Sequence, residues 1–143
     1  MKVLYTAVAT ATDKGRNGHV RTDDGVLDVE LSMPPAMGGP GGDGTNPEQL
    51  FAAGHAGCFA NAMRSAARRQ GAEEAVEGAL VTARVGIGAI GQGRLGLTVA
   101  LEVDVPALGQ AEAEDLVARA HERCPYSNAT RGNLDVQLVV RGG

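Results

Sequence analysis

The sequence predicts a single α+β domain over residues 1–143, in which mostly antiparallel strands pack around central helices. Two observations support this fold class. Several segments alternate polar and apolar residues, which is typical of half-buried strands, and two longer segments have helical period instead. The chain has 143 residues, 43% of them hydrophobic and 21% charged, which is enough for one core and too few for two comfortable domains.

The first strands are expected near the N-terminus. Residues 3–10 alternate loosely and residues 26–32 alternate cleanly. An Asn-Gly turn signal at positions 17 and 18 lies between them. We therefore expect the two segments to pair as an antiparallel hairpin with Arg16 near its tip.

The remaining strands are expected in the second half of the chain. Residues 95–105 place six aliphatic side chains on one face, and residues 80–90 can pair with them across the short link Gly91-Gln92-Gly93. Residues 134–140 supply a last strand. Between these strand regions the sequence predicts two helices.

The first helix is expected to begin with Asn46 as its cap and Pro47 as its first residue, and to run to about Gln70. Its side chains are unusually small, which requires other backbone to approach closely and indicates a helix at the centre of the domain. These small residues are Ala52, Ala53, Gly54, Ala56, Gly57, Ala60, Ala62, Ala66 and Ala67.

The second helix is expected over Gln110 to Arg123, with acidic residues early and basic residues late, as its macrodipole favours. Its apolar stripe ends at Cys124, so this cysteine is expected to point inward. Pro125 follows and prevents the helix from continuing far.

Composition excludes several classes of function. The net charge of −4, the lack of a Lys/Arg block and the aromatic content of 3% argue against a nucleic-acid binder. No apolar stretch approaches the roughly 20 residues that span a bilayer. The N-terminus lacks the apolar run of a signal peptide, so we expect a cytoplasmic protein whose thiols are kept reduced.

Two cysteines occur in the chain, and each ends an H-x-x-C motif: Cys58 after His55, and Cys124 after His121. A buried cysteine is most often a small hydrophobe, and burial raises its pKa. Cys58 lies about three turns into its helix, beyond the reach of the dipole, so a reactive Cys58 needs a cation from elsewhere in the fold. The candidates are Arg16, Arg21, Arg131 and a protonated His55 or His121.

Two other interpretations of the cysteines stay open. The paired H-x-x-C motifs supply four soft ligands for a structural zinc, although their spacing is not that of the usual knuckles. The pair also suits a non-catalytic redox sensor whose disulfide changes a partner interface. The glycine-rich loop at residues 34–44 lacks the residues of a phosphate-binding loop, so we interpret it as a connection into the first helix.

The sequence also resembles a known family in runs that follow one another from residue 3 to residue 140. These runs are LYTAxATATxxGRxG, DGVLDVxLS, GTNPEQLFAAG, CF, VGIG and CPYSNATRGN followed by DV. They are similar to those of the organic hydroperoxide resistance proteins, a branch of the OsmC-like thiol-peroxidase superfamily. The resemblance implies an intertwined homodimer that reduces organic hydroperoxides to alcohols, is recycled by a lipoyl-type dithiol, and uses no metal or organic cofactor.

The resemblance also implies roles for four residues. Cys58 matches the peroxidatic cysteine and Cys124 the resolving cysteine. Arg16 matches the arginine that stabilises the thiolate and the transition state. Glu48 matches the acid that orients Arg16, and a bidentate pair between the two would do this.

One position departs from the family pattern. His55 stands where the family commonly has a tyrosine, one turn before Cys58. We expect His55 to alter the acidity of the thiol or to shape the substrate pocket, or else to be a satisfied core histidine. The apolar part of the pocket is expected to include Phe51, Phe59 and Met33, which suit a hydrophobic core equally well.

Overall fold

The computed structural model describes residues 1–143 and has the predicted α+β class, with three α-helices and two three-stranded sheets. Its contacts divide the chain into two compact units, Met1–Leu50 and Phe51–Gly143. That the chain forms a single domain stays a prediction. No helix combines the length and the apolar character that crossing a membrane requires.

The sheet of the first unit is an antiparallel meander of three short strands, β1 (Ala9–Ala11), β2 (His19–Thr22) and β3 (Asp28–Glu30). The predicted direct pairing of residues 3–10 with residues 26–32 is therefore wrong, because β2 lies between the two segments and pairs with both.

A second turn that the sequence analysis missed explains this difference. Asp24 and Gly25 form a turn between β2 and β3, in which Asp24 accepts hydrogen bonds from the Thr22 hydroxyl at 2.7 Å and from the Val26 amide at 3.0 Å. Gly25 has a φ of +70°, which a glycine adopts at little cost. Asp-Gly is a strong hairpin signal, so this turn could have been found from the sequence.

The first eight residues precede β1 and form no regular strand. Three of their apolar side chains are largely exposed: Val3 at 62%, Leu4 at 91% and Tyr5 at 79%. The alternation that predicted a strand from residue 3 thus lies mostly in a segment outside the regular strands, and several of its apolar side chains are uncovered in the single chain.

The sheet of the second unit contains β4 (Leu80–Gly91), β5 (Arg94–Val105) and β6 (Val136–Gly142) in that order. β4 and β5 form the predicted antiparallel hairpin across the glycine link. β6 runs parallel to β5, because the chain returns between them through two helices and a parallel pair needs such a crossover.

The three helices are α1 (Pro47–Arg69), α2 (Gln110–Arg123) and α3 (Pro125–Thr130). The predicted cap of α1 is confirmed, since the Asn46 side-chain oxygen accepts the backbone N–H of Gln49 at 2.8 Å.

The core of the second unit lies where one face of α1 meets the apolar stripe of α2 and the inner face of β5. Its buried residues include Phe59, Met63, Leu101, Val103, Leu116, Val117 and Cys124. The central position predicted for α1 holds for one face only, because Ala53, Gly57 and Ala60 are exposed in the single chain.

Candidate active site

The two cysteines are brought together in the second unit, with 3.7 Å between their sulfur atoms. Cys58 lies half-buried in the middle of α1, and Cys124 is fully buried at the junction of α2 and α3. Both thiols are free. A disulfide needs about 2.05 Å between sulfurs, so the pair is poised for oxidation without being bonded.

The junction exists because Pro125 cannot continue α2. The chain leaves the helix at Cys124, whose φ and ψ of −66° and 121° are extended, and Pro125 then serves as the first residue of α3. Cys124 thus closes one helix and caps the next. The Cys124 side chain is fully buried, as the apolar stripe of α2 predicted, and its sulfur lies 3.7 Å from that of Cys58.

Within this unit, opposing effects act on the pKa of the Cys58 thiol. Burial raises the pKa of the Cys58 thiol, and the neighbouring Cys124 raises it further. The backbone amide of Tyr126 acts in the opposite direction, because it approaches the Cys58 sulfur as a hydrogen-bond donor and so lowers the pKa.

Sequence reasoning missed the contribution of Tyr126, although a signal for it existed. A proline directly after Cys124 marks the first residue of a new helix, and Tyr126 is then the second. The first amides of a helix have no partner within it and are free to donate elsewhere.

Aromatic rings line the site beside Cys58. The ring of Tyr126 lies 5.4 Å from that of His55 and 5.7 Å from that of Phe51, measured between centroids, and Phe51 meets His55 edge-on at 6.0 Å. Gly54 makes this packing possible, since a Cβ at that position would lie 2.6 Å from the Tyr126 hydroxyl oxygen.

His55 is buried completely under these rings, and neither of its ring nitrogens has a hydrogen-bond partner. Burial lowers its pKa, and the nearby His121 lowers it further, so the imidazole is neutral at neutral pH. The structure therefore does not show the satisfied core histidine that was one of the expectations for this residue.

His121, unlike His55, has hydrogen-bond partners for both its ring and its backbone. Its Nδ1 lies 2.9 Å from the hydroxyl of the buried Ser127, and its backbone carbonyl accepts a hydrogen bond from Arg131 at 2.8 Å. No three His, Cys, Asp or Glu side chains come together as metal ligands anywhere in the chain. The zinc interpretation of the two H-x-x-C motifs thus lacks a ligand cluster.

The first unit contains the predicted pair of Arg16 and Glu48. Arg16 donates two hydrogen bonds to the carboxylate, from Nη1 to Oε2 and from Nη2 to Oε1, each 2.7 Å long. The predicted bidentate geometry is confirmed. Arg16 lowers the pKa of Glu48, and the carboxylate in turn raises the pKa of Arg16.

Local structure explains how this pair forms. Arg16 sits in a one-turn 3-10 helix, Gly15–Asn17, that joins β1 to β2. Asn17 anchors the turn by accepting the backbone N–H of Met33 at 3.1 Å. Glu48 lies in the first turn of α1, where its charge also suits the helix dipole.

The expected pocket residues lie in three different environments. Phe59 is fully buried in the hydrophobic core. Phe51 lines an open groove of about 330 Å³ together with Leu97 and Leu134. Met33 is half-buried in a loop of the first unit. Packing in the core accounts for Phe59, while a pocket role for Phe51, Met33 and His55 stays a prediction.

An α+β fold with a closely spaced pair of free thiols defines the class: a dithiol protein. The sequence profile described as OsmC-like protein matches residues 39–139. An organic hydroperoxide resistance protein of Xanthomonas axonopodis pv. citri is 52% identical over 139 residues, which cover 97% of this chain and 96% of the relative.

Solved structures agree with this assignment. An organic hydroperoxide resistance protein of Legionella pneumophila is 52% identical with a TM-score of 0.91, and the match covers 97% of this chain and 98% of the other. A second, from Elizabethkingia anophelis, is 47% identical with a TM-score of 0.92, and both chains are covered completely. The chain therefore belongs to the OsmC-like family, in its organic hydroperoxide resistance branch.

Proposed function

We propose that this chain is a thiol-dependent peroxidase that reduces organic hydroperoxides to alcohols. The observation that carries the proposal is the 3.7 Å between the half-buried Cys58 sulfur and the fully buried Cys124 sulfur. The names of its relatives supply the substrate class.

In the first step the Cys58 thiolate attacks the terminal oxygen of the hydroperoxide. The O–O bond breaks, and its electron pair leaves with the alkoxide, which takes a proton from water to become the alcohol. Cys58 becomes a sulfenic acid.

Arg16 is assigned the stabilising role in this step by family resemblance, and its permanent charge and fork of donors suit a thiolate and a developing alkoxide. Glu48 holds the guanidinium through two charge-assisted hydrogen bonds.

In the second step the Cys124 sulfur attacks the Cys58 sulfenic acid. The S–O bond breaks, the hydroxide leaves with the thiol proton of Cys124 as water, and a disulfide forms. A lipoyl-type dithiol then reduces the disulfide through thiol exchange. The chemistry needs no metal or organic cofactor. A cytoplasmic location would keep both thiols reduced between turnovers.

We further propose that the protein works as a homodimer. The exposed apolar side chains of residues 3–5 and the exposed small residues on one face of α1 support this, because a second copy of the chain would cover both. Gel filtration with light scattering measures the mass directly, and a monomer at micromolar concentration would overturn this part of the proposal.

The activity is tested by mixing the reduced protein with cumene hydroperoxide and an excess of dihydrolipoamide, and following peroxide loss. A peroxidase consumes many equivalents per chain, whereas a non-catalytic redox sensor stops after about one. Cys58→Ser should abolish consumption. If the wild-type protein stops after one equivalent, or if Cys58→Ser stays active, the proposal is wrong.

A further inference from the structure

A role for the imidazole of His55 in catalysis rests on the peroxidase function proposed for this chain. His55 is one of two fully buried polar side chains, and the other, Ser127, is hydrogen-bonded to His121. Both ring nitrogens of His55 lack a partner. A buried polar group without a partner destabilises the folded state, so its presence calls for an explanation.

The position of His55 relates it to the thiol in two ways. It precedes Cys58 by three residues on α1, so the two side chains lie on the same face of the helix with their Cβ atoms about 5–6 Å apart. Tyr126 also links them, because its ring packs on His55 while its backbone amide approaches the Cys58 sulfur. The His55 side chain therefore lies beside the reactive cysteine on the same face of α1.

The reaction places the leaving oxygen at a distance from the Cys58 sulfur that is similar to the spacing of the two side chains. In a near-attack geometry the attacked oxygen lies about 3–3.5 Å from the sulfur, and the leaving oxygen is one bond, about 1.5 Å, further away. The leaving oxygen thus lies about 4.5–5 Å from the Cys58 sulfur, which is comparable with the spacing of the two side chains on the helix.

The chemistry of the imidazole also fits a neutral hydroxyl-type ligand. Desolvation keeps the ring neutral, so one nitrogen donates a hydrogen bond and the other accepts one. Such a group suits the oxygen of a hydroperoxide or an alcohol, which can accept a hydrogen bond from one ring nitrogen.

We propose that His55 is a catalytic hydrogen-bond donor whose ring N–H binds the leaving oxygen of the organic hydroperoxide. As the O–O bond breaks, the negative charge on this oxygen strengthens the hydrogen bond, and burial increases its effect. The proton of the imidazole stays on the ring, and the alkoxide takes its proton from water.

Access to His55 requires the ring of Tyr126 to move, because that ring covers the imidazole. Substrate binding therefore requires the Tyr126 side chain, which is 36% exposed and belongs to the six-residue helix α3, to rotate towards solvent. Its backbone amide is unaffected by this rotation and continues to face Cys58.

The test compares wild type with His55→Phe and His55→Gln in single-turnover oxidation of Cys58. The substrates are cumene hydroperoxides whose ring substituents change the acidity of the leaving alcohol. We expect His55→Phe to react about 10²-fold more slowly, the usual cost of losing one preorganised donor. Its rate should also depend more steeply on leaving-group acidity. His55→Gln keeps an N–H donor and should recover part of both losses.

Stability provides an independent measurement. His55→Phe removes two unpartnered polar atoms, so its free energy of unfolding should equal or exceed that of wild type. His19→Gln is the matched control, because His19 lies on β2 in the first unit, where it pairs with Asp28 of β3. Its rate and leaving-group slope should match wild type.

The result that overturns the inference is a folded His55→Phe with the wild-type slope, whether its rate is normal or reduced. A reduced rate with an unchanged slope would assign His55 a packing role, and an unchanged rate would mean that its nitrogens bind only water. If the wild-type protein itself does not reduce organic hydroperoxides, the proposed function fails instead.

Discussion

Replacing Cys124 with serine tests the central geometric feature of the site. The two sulfurs are 3.7 Å apart, and a disulfide requires about 2.05 Å, so resolution needs an approach of only about 1.7 Å. Cys58 is held in the middle of α1, whereas Cys124 lies at the junction of two helices, so we expect Cys124 to make most of this movement. A serine oxygen at that position cannot form a disulfide.

The expected effect differs between the two steps. Cys124 raises the pKa of Cys58, so its removal should not slow the attack on peroxide. Turnover with dihydrolipoamide should fall from many equivalents to about one per chain. Further peroxide should then convert the Cys58 sulfenic acid to the sulfinic acid, which a dithiol does not reduce.

Intact-mass spectrometry after stepwise addition of cumene hydroperoxide follows this directly. Cys124→Ser should gain one oxygen atom and then a second, wild type should lose two hydrogen atoms as it forms the disulfide, and Cys58→Ser should remain unchanged. Should Cys124→Ser turn over with dihydrolipoamide at the wild-type rate, the 3.7 Å contact would have no role in resolution.

Three further predictions concern other parts of the molecule. Arg16→Ala should raise the pKa of Cys58 and slow its oxidation by about 10²–10³-fold. Glu48→Ala should slow the oxidation less, because the positive charge of Arg16 remains. Stopped-flow rates across pH measure both effects, and an Arg16→Ala rate within a few-fold of wild type would make Arg16 a surface residue. The pKa of His55 is depressed in the folded chain, so below the ordinary histidine pKa of about 6.5 the unfolded chain binds more protons than the folded chain. The free energy of unfolding should therefore fall as the pH decreases below about 6.5, and it should fall less in His55→Phe. Urea titrations at several pH values measure this, and an equal pH dependence in the two proteins would contradict it. Phe59→Ala should cost about 3–5 kcal/mol of unfolding free energy because it leaves a cavity in the core, and a loss below 1 kcal/mol would show that Phe59 is not a core residue.

Much of the local structure was predictable because its causes are local. Asn46 and Pro47 determine where α1 begins, Pro125 determines where α2 ends, and the Gly91-Gln92-Gly93 link determines the hairpin of β4 and β5. The Asp24-Gly25 turn belongs to the same class and was overlooked, which led to the wrong strand pairing in the first unit.

The site was predictable to a different degree. Motif resemblance assigned Cys58 and Cys124 to one site and paired Arg16 with Glu48, and the structure contains both contacts at 3.7 Å and 2.7 Å. Pro125 indicated that the Tyr126 amide begins a new helix and is free to donate, but no sequence pattern indicated that this amide approaches the Cys58 sulfur or that both nitrogens of His55 are unpartnered.

The sequence by itself determined the elements, the caps and turns between them, and the identity of the reactive groups, because these depend on backbone preferences and side-chain chemistry over a few neighbouring residues. Tertiary structure alone decided the environment of each group. The pKa of Cys58 and the unmet hydrogen bonds of His55 depend on burial and on contacts with Tyr126, about 70 residues further along the chain, and no local rule determines how such distant segments pack.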